Sequence, residues 1–324
     1  MRLTIALPGL FWQDTGDLDY IYSNTKLDNF NFILKHSSMS TYKYNFSDLL
    51  YSQIKEDGSL ADYLAQRAGV LNEYKSFLLA EPTHLRLDRD RLLISESELL
   101  QLYSQESINI IEEINNHFAP EIKLYKITDN LWLLGHNMDL KDTTFYPILD
   151  IAGENIDDFM PSIGLNKLIN EVQMLLTNLP DNKNRQKEGS LVANSIWVWN
   201  KKLDKNSNKT HVFNEIYSNI FNPLSGASKP IPKNITTAFN DNNLIIIDNL
   251  YYPCYYRDSF GYTEKIMTLD SILGFELKKW LLQKNELDIL VPGRESAIKI
   301  SIRRSYKFWQ NKQLINLVKE FHAL

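Results

Sequence analysis

Two amides and a guanidinium stand within thirteen residues of one another in the stretch Leu165 to Asn200, LNKLINEVQMLLTNLPDNKNRQKEGSLVANSIWVWN. Asn182, Arg185 and Asn194 suit sugar hydroxyls or a phosphate. An amide both donates and accepts hydrogen bonds, and a guanidinium presents a fixed, permanently charged fork of donors. The competing reading is local, because Asn and Arg beside Pro180 and Gly189 also serve turns and caps. Two further cations, Arg86 and Arg89, lie in the charge-dense run His84-Leu85-Arg86-Leu87-Asp88-Arg89-Asp90-Arg91, either solvated along a hairpin edge or facing an anionic ligand. Asp248 closes the apolar run Leu244-Ile245-Ile246-Ile247, a strand end where ligand-binding loops are often placed.

The elements that must position these residues follow from periodicity. Leu165, Leu168, Ile169, Val172, Leu175, Leu176 and Leu179 fall on one face of a helix that Pro180 stops, and a polar loop then leads to a buried strand, Ser195 to Trp199. Arg2 to Leu10 reads as a buried parallel strand ending at Pro8-Gly9, and Leu244 to Ile247 as a central one. Asn45 to Ile54 and Ser59 to Ala68 carry helical spacing. A helix from Ser95 to Phe118, ended by Pro120, precedes a hairpin made of Ile122 to Ile127 and Asn130 to Leu134. Tyr262 to Gln283 and Gln313 to His322 read as helices, Asp288 to Val291 as a strand, and Ala297 to Arg303 as an edge strand. This alternation predicts a mainly parallel α/β sheet flanked by helices, formed by residues 1–84 and 161–324, with a small α+β domain inserted at 85–160.

At 324 residues with 44% hydrophobic content, the chain can build a sizeable core. A net charge of -5 without a basic block offers no footprint for nucleic acid or an anionic membrane. The single cysteine, Cys254, excludes an intrachain disulfide and a cysteine metal cluster; it suits a reducing compartment, and the cytoplasm is the expected location. Leu3 to Trp12 is too short and too broken by Pro8-Gly9 for a signal peptide, and no apolar run approaches the roughly 20 residues of a membrane helix. Trp197, Trp199 and Trp280, in apolar contexts, read as core rather than as a carbohydrate or nucleobase platform.

The pattern Leu-Pro-x-Asn-x-x-Arg-x-x-x-Gly-x-x-x-x-Asn-x-Ile-Trp-x-Trp, after a helix, resembles a segment of the archaeal-type cofactor-independent phosphoglycerate mutases. It is closer still to a diverged bacterial branch described as phosphoglycerate-mutase-like. The resemblance implies an alkaline-phosphatase-like α/β core with a small inserted domain. It also implies two divalent metals held by Asp and His and a Ser or Thr nucleophile, the arrangement that stabilises attacking and leaving oxygens in phosphoryl transfer.

The metal positions are where this chain departs from that family. Leu7 or Pro8 stands at the first metal Asp, Tyr252 at a His following Asp248, and Arg294 where an Asp-His pair would begin. Asp258, Lys265 and Asp270 do keep the family spacing. Ser37, Ser38 and Ser40 lie near the nucleophile position, in a cluster that also reads as a plain loop. The expectation is a diverged protein without a metal pair or other cofactor that binds a phosphorylated small molecule or a protein partner. Its ligand-binding candidates are Asn182, Arg185, Asn194, Asp248, Arg86 and Arg89. The alternative is an active mutase or phosphatase with a rearranged site.

Overall fold

Runs of apolar and β-branched residues become strands throughout the computed structural model, which describes residues 2–35, 37–52, 54, 56–95, 97–140, 144–160, 163–203, 211–213, 228–229, 243–293, 297–303 and 312–323. In chain order the strands are β1 (Arg2–Ala6), β2 (Ser37–Tyr42), β3 (Gly58–Ser59), β4 (Ser76–Asp88), β5 (Arg91–Ser95), β6 (Ile122–Lys126), β7 (Trp132–His136), β8 (Ser195–Trp199), β9 (Lys202–Leu203), β10 (His211–Phe213), β11 (Ser228–Lys229), β12 (Asn243–Ile246), β13 (Glu286–Pro292) and β14 (Ala297–Ile302). By its contacts the chain divides into two units, Met1–Gln53 with Ser207–Leu324, and Ile54–Asn206. The expected boundaries at 85 and 160 both fall inside the second unit. A cut at 85 would pass through β4, which pairs with β7, β8 and β5 along its length, so that β8 falls in the same unit.

The first unit holds a mixed sheet in the order β11-β10-β12-β1-β13-β14-β2. β1 is flanked in parallel by β12 and β13, and its residues Leu3, Ile5 and Ala6 are buried with Leu244 to Ile246, Leu287 and Ile289. That is the apolar profile of a strand covered on both faces. β14 was expected at the edge, yet it pairs antiparallel with both β13 and β2, so the serine-rich β2 forms the edge instead. The helical segments Ser259–Leu269, Asp270–Gly274 and Phe275–Leu282 follow one another, the middle one being a π turn. This gives the mainly parallel α/β sheet flanked by helices that the sequence implied, parallel from β11 through β13 and antiparallel at β14 and β2.

The second unit is built on an antiparallel sheet, with β5, β7 and β8 all pairing with β4 and β6 pairing with β7. One face buries Leu78, Ala80, Trp132, Leu134, Ile196 and Val198 against Ile110, Ile111 and Ile114 of the helix Ser104–Phe118 and Leu165, Ile169, Val172 and Leu176 of the helix Ile163–Thr177. The helix expected from Ser95 is two, Ser97–Leu100 and Ser104–Phe118, with Gln101 between them at φ 50. The loop expected after Pro180 is a helix, Pro180–Lys187, with the proline in its first turn, where the missing N–H costs nothing. Likewise β8, expected in the parallel core, is an antiparallel strand of this unit.

Candidate functional site

In open α/β sheets ligands bind beyond the carboxyl ends of the parallel strands. Here those ends are drawn together by Leu7 N–H donating to the Leu290 carbonyl at 2.8 Å and Ile247 N–H donating to the Ala6 carbonyl at 2.9 Å. After β1 the chain turns at Leu7-Pro8-Gly9. Gly9 sits at φ +80, and a Cβ placed on it would lie 2.4 Å from the Leu250 carbonyl oxygen, so this turn is pressed onto the backbone that follows β12. Leu7, Leu10, Phe11 and Trp12 are buried; Tyr262 Oη donates to the Leu10 carbonyl at 2.7 Å, and the buried Cys254 thiol lies 3.3 Å from the Phe11 carbonyl. Burial pushes that thiol up to about 12, which leaves it protonated and unreactive at neutral pH. Asp248 is at the end of β12 as expected but has no solvent-exposed surface. Tyr252 lies in the helix Tyr251–Tyr255, its ring against those of Tyr251 and Tyr256.

The other positions that keep the family spacing have structural partners. Asp258 caps its helix by accepting from Gly261 N–H at 2.9 Å, and Asp270 accepts from Phe30 N–H at 2.6 Å. Lys265 is exposed on that helix. Ser38 and Ser40 stand on the exposed face of β2, while Ser37 is buried.

In the second unit Asn182 and Arg185, one turn apart on the helix Pro180–Lys187, are both buried. Asn182 Nδ2 donates to the carbonyls of Leu176 and Ala193, each at 2.8 Å, and its Oδ1 accepts from Ala193 N–H at 3.1 Å. Arg185 Nε donates to the Leu191 carbonyl at 2.7 Å and Nη2 to the Leu100 carbonyl, while Nη1 reaches both carboxylate oxygens of Glu106, at 3.0 and 2.8 Å. The helix ends at Gly189, φ +73, with Ser190 N–H bonded to the Arg185 carbonyl and Gly189 N–H to the Gln186 carbonyl. This is a left-handed cap that favours glycine. Asn194 then exchanges both amide bonds with the Leu85 backbone, at 2.7 and 2.9 Å, adding a side-chain rung where β8 begins. The spacing of Asn, Arg, Gly and Asn is therefore that of a knot tying two helices to a strand. It directs these groups at backbone and at Glu106, and the expected loop Arg185 is a buried helical one.

Arg86 and Arg89 stand exposed on the β4–β5 hairpin, with Arg89 at φ 57 in its turn, and among the described residues no hydrogen bond or ion pair engages either guanidinium. Of the histidines, His84 Nδ1 meets the Val192 carbonyl at 2.9 Å and His322 Nε2 the Trp12 carbonyl at 2.8 Å. Among the described residues no three His, Cys, Asp or Glu side chains gather where they could hold a metal ion, and Arg294 lies outside those residues. None of the described helices is long and apolar enough to cross a membrane.

No protein-family model matches the chain, and none of the curated proteins does. Among solved structures it is similar to the PH0037 protein of Pyrococcus horikoshii, with 12% identity over 93% of this chain and 87% of that one and a TM-score of 0.48. It is also similar to a cofactor-independent phosphoglycerate mutase from Thermoplasma acidophilum, with 13% identity over 99% of this chain and all of that one and a TM-score of 0.41. These are distant likenesses.

A cavity of about 370 Å³ opens elsewhere in the second unit, lined by Gly58, Ser59, Phe145, Asn200, Lys201 and Lys202. β3 and β9 pair across it, Ser59 opposite Lys202. Asn200 holds its floor: Oδ1 accepts from Ala61 and Lys201 N–H, and Nδ2 donates to the Ser59 hydroxyl at 2.9 Å. Lys201 and Lys202 line this concave surface beside the Phe145 ring and the bonded Asn200–Ser59 pair, a cationic lining that suits a small anion. Residues 201–210 are rich in lysine and asparagine, and 204–210 lie outside the described residues. The lysine doublet directly after β8 was the available signal, since a strand end fixes where its next side chains point.

Proposed function

We propose that this protein is a diverged mutase-like α/β protein that acts by binding an anionic, phosphorylated small molecule, with no metal-assisted phosphoryl transfer. One observation carries the reading. At the carboxyl end of β1, where such chemistry would need acidic donors, the Leu7-Pro8-Gly9 turn is pressed against the Leu250 backbone, and Asp248 after β12 is fully buried. A metal pair needs several anionic or imidazole donors facing one open space, and the donor set here is apolar at Leu7 and Pro8 and phenolic at Tyr252. The cavity at Lys201 and Lys202 supports a binding role, because partly exposed ammonium groups attract phosphate at little desolvation cost.

The test pairs turnover with binding. Mutase and phosphatase assays with added magnesium, manganese or zinc are expected to show no turnover above buffer. Titration calorimetry with a phosphorylated three-carbon acid is expected to show binding that Lys202→Ala weakens several-fold. Metal-dependent turnover abolished by chelation overturns the reading, as does binding that Lys202→Ala leaves untouched.

A further inference from the structure

The continuous helical run from Ser259 to Leu282 carries an apolar stripe on its outer side. Phe260 (82% exposed), Met267, Phe275 and Leu282 (65% exposed) are solvent-facing, while Tyr262, Ile266, Leu269, Leu273, Leu277 and Trp280 bury the opposite side. Seven residues separate Phe260 from Met267 and Phe275 from Leu282, two α-helical turns to within about 20°. Between Met267 and Phe275 the interval is eight, and there the π turn Asp270–Gly274 inserts the extra residue, which brings Phe275 back under Met267. The π turn thus keeps straight a stripe about 33 Å long. Nothing in the core requires those four residues to be apolar.

We infer that this stripe is the contact face of a homodimer in which a second copy of the same helical run packs antiparallel, with Ser271 of each copy at the two-fold axis. The occupant is argued from charge. In a two-fold contact residue i meets j and j meets i, so flanking charges must complement themselves about one centre. About Ser271, Phe260 falls opposite Leu282 and Met267 opposite Phe275. In the same register Glu264 falls opposite Lys278. In this pair the acidic member lies towards the amino end and the basic member towards the carboxyl end, so the two are of opposite sign. Parallel pairing in register would set each charge against its own copy. Of the remaining charges nearby, Lys279 is already paired with Glu276 at 2.9 Å, and Lys265 lies to one side of the stripe. Lys278 rests over the exposed Phe32 ring, 4.7 Å from its centre, which widens the patch.

The full chain would be examined by sedimentation velocity from about 1 to about 200 µM, a range that spans micromolar dissociation constants. A concentration-dependent dimer is expected, and Phe275→Glu, at an exposed position, is expected to abolish it while the melting curve is kept. Glu264→Lys and Lys278→Glu should each weaken the dimer about tenfold, and mixing these two variants should restore it, because both symmetry-related contacts then join opposite charges. Ser271→Cys should form a disulfide-linked dimer under a mild oxidant, whereas Phe260→Cys should not; the native Cys254 is buried. A monomer at every concentration, a dimer indifferent to Phe275→Glu, or charge reversal without rescue on mixing overturns the inference. So does stripe-dependent binding to lipid vesicles by a chain that stays monomeric.

Discussion

At the carboxyl ends of β1 and β12 the chain closes a space by pressing backbone on backbone, with Gly9 φ-positive against Leu250. In the antiparallel unit the buried Asn182 and Arg185 and the half-buried Asn194 are held by hydrogen bonds to the protein itself. Both regions carry positions where the family resemblance implies ligand chemistry. In the first, the apolar Leu7 and Pro8 stand where the resemblance implies metal donors. In the second, the polar residues remain but their donors point at Leu100, Leu191, Leu176, Ala193, Leu85 and Glu106. Residue type and spacing alone therefore do not separate a binding loop from a structural knot. Burial separates them, because a buried polar group must find its partners within the protein.

The largest effect that could break this contrast is expected from Arg185→Ala. The Arg185 and Glu106 side chains are 7% and 16% exposed, and removing the cation leaves the carboxylate with Tyr103 N–H and the Leu100 and Leu191 carbonyls without their donors. Breaking a buried pair on one side costs about 3 kcal/mol or more, which lowers the melting midpoint by about 10 °C in a unit of this size. Thermal melts followed by circular dichroism check it. An unchanged midpoint together with lost affinity for a phosphorylated ligand would turn the knot back into a site.

How much of this was legible beforehand depends on range. The central strands β1, β12 and β13 and the β6–β7 hairpin could be read because each is an apolar or alternating run whose signal lies within a few residues. The helix Pro180–Lys187 could not. Its residues Asp181, Asn182, Lys183 and Asn184 favour turns, and it is held helical by what Asn182 and Arg185 reach on other elements. The same holds for β8, whose SIWVW suits a parallel core strand equally well and whose unit is decided by β4, more than a hundred residues earlier. Arg185 was misplaced for a related reason: its partner Glu106 is a long-range choice that no local pattern announces.

The apolar side of the comparison can be sharpened with Gly9→Ala. The added methyl would meet the Leu250 carbonyl oxygen at 2.4 Å and its carbon at 2.7 Å, on a residue held at φ +80. Neither contact is with a flexible side chain, so the turn must move. A loss of about 2 kcal/mol is expected, from steric and left-handed strain together. Urea unfolding at an unchanged slope measures it. A neutral effect would mean that the strand-end turn has room, and with it the space for a ligand that the closed geometry denies.

The smallest expected effect separates the two units by pH. His136, at the end of β7, is buried, and burial pushes its pKa below the ordinary 6.5, against an opposing contribution from the backbone at Met138. The unfolded chain then takes up this proton before the native one as pH falls. The stability associated with neutral His136 is complete above about pH 6.5 and declines below it, towards the folded value. In the mixed-sheet unit Asp288 moves in a lower window. Burial raises its pKa, but the Ser301 hydroxyl, Arg2, Arg303 and Lys299 together bring it below the ordinary 3.8, so its contribution is complete above that value and lost only as pH falls further. Asp270, raised by burial, is protonated in the native state first and opposes that loss within the same unit. Between pH 7 and pH 5.5, hydrogen exchange corrected for its intrinsic rate should therefore show protection falling in β6 and β7 by up to about 1 kcal/mol, with β1 and β13 unaffected. His136→Phe, which cannot titrate, should remove the difference. Equal losses in both sheets, or a pH response that survives His136→Phe, would show that acid acts on the whole chain and that His136 does not set the antiparallel unit apart.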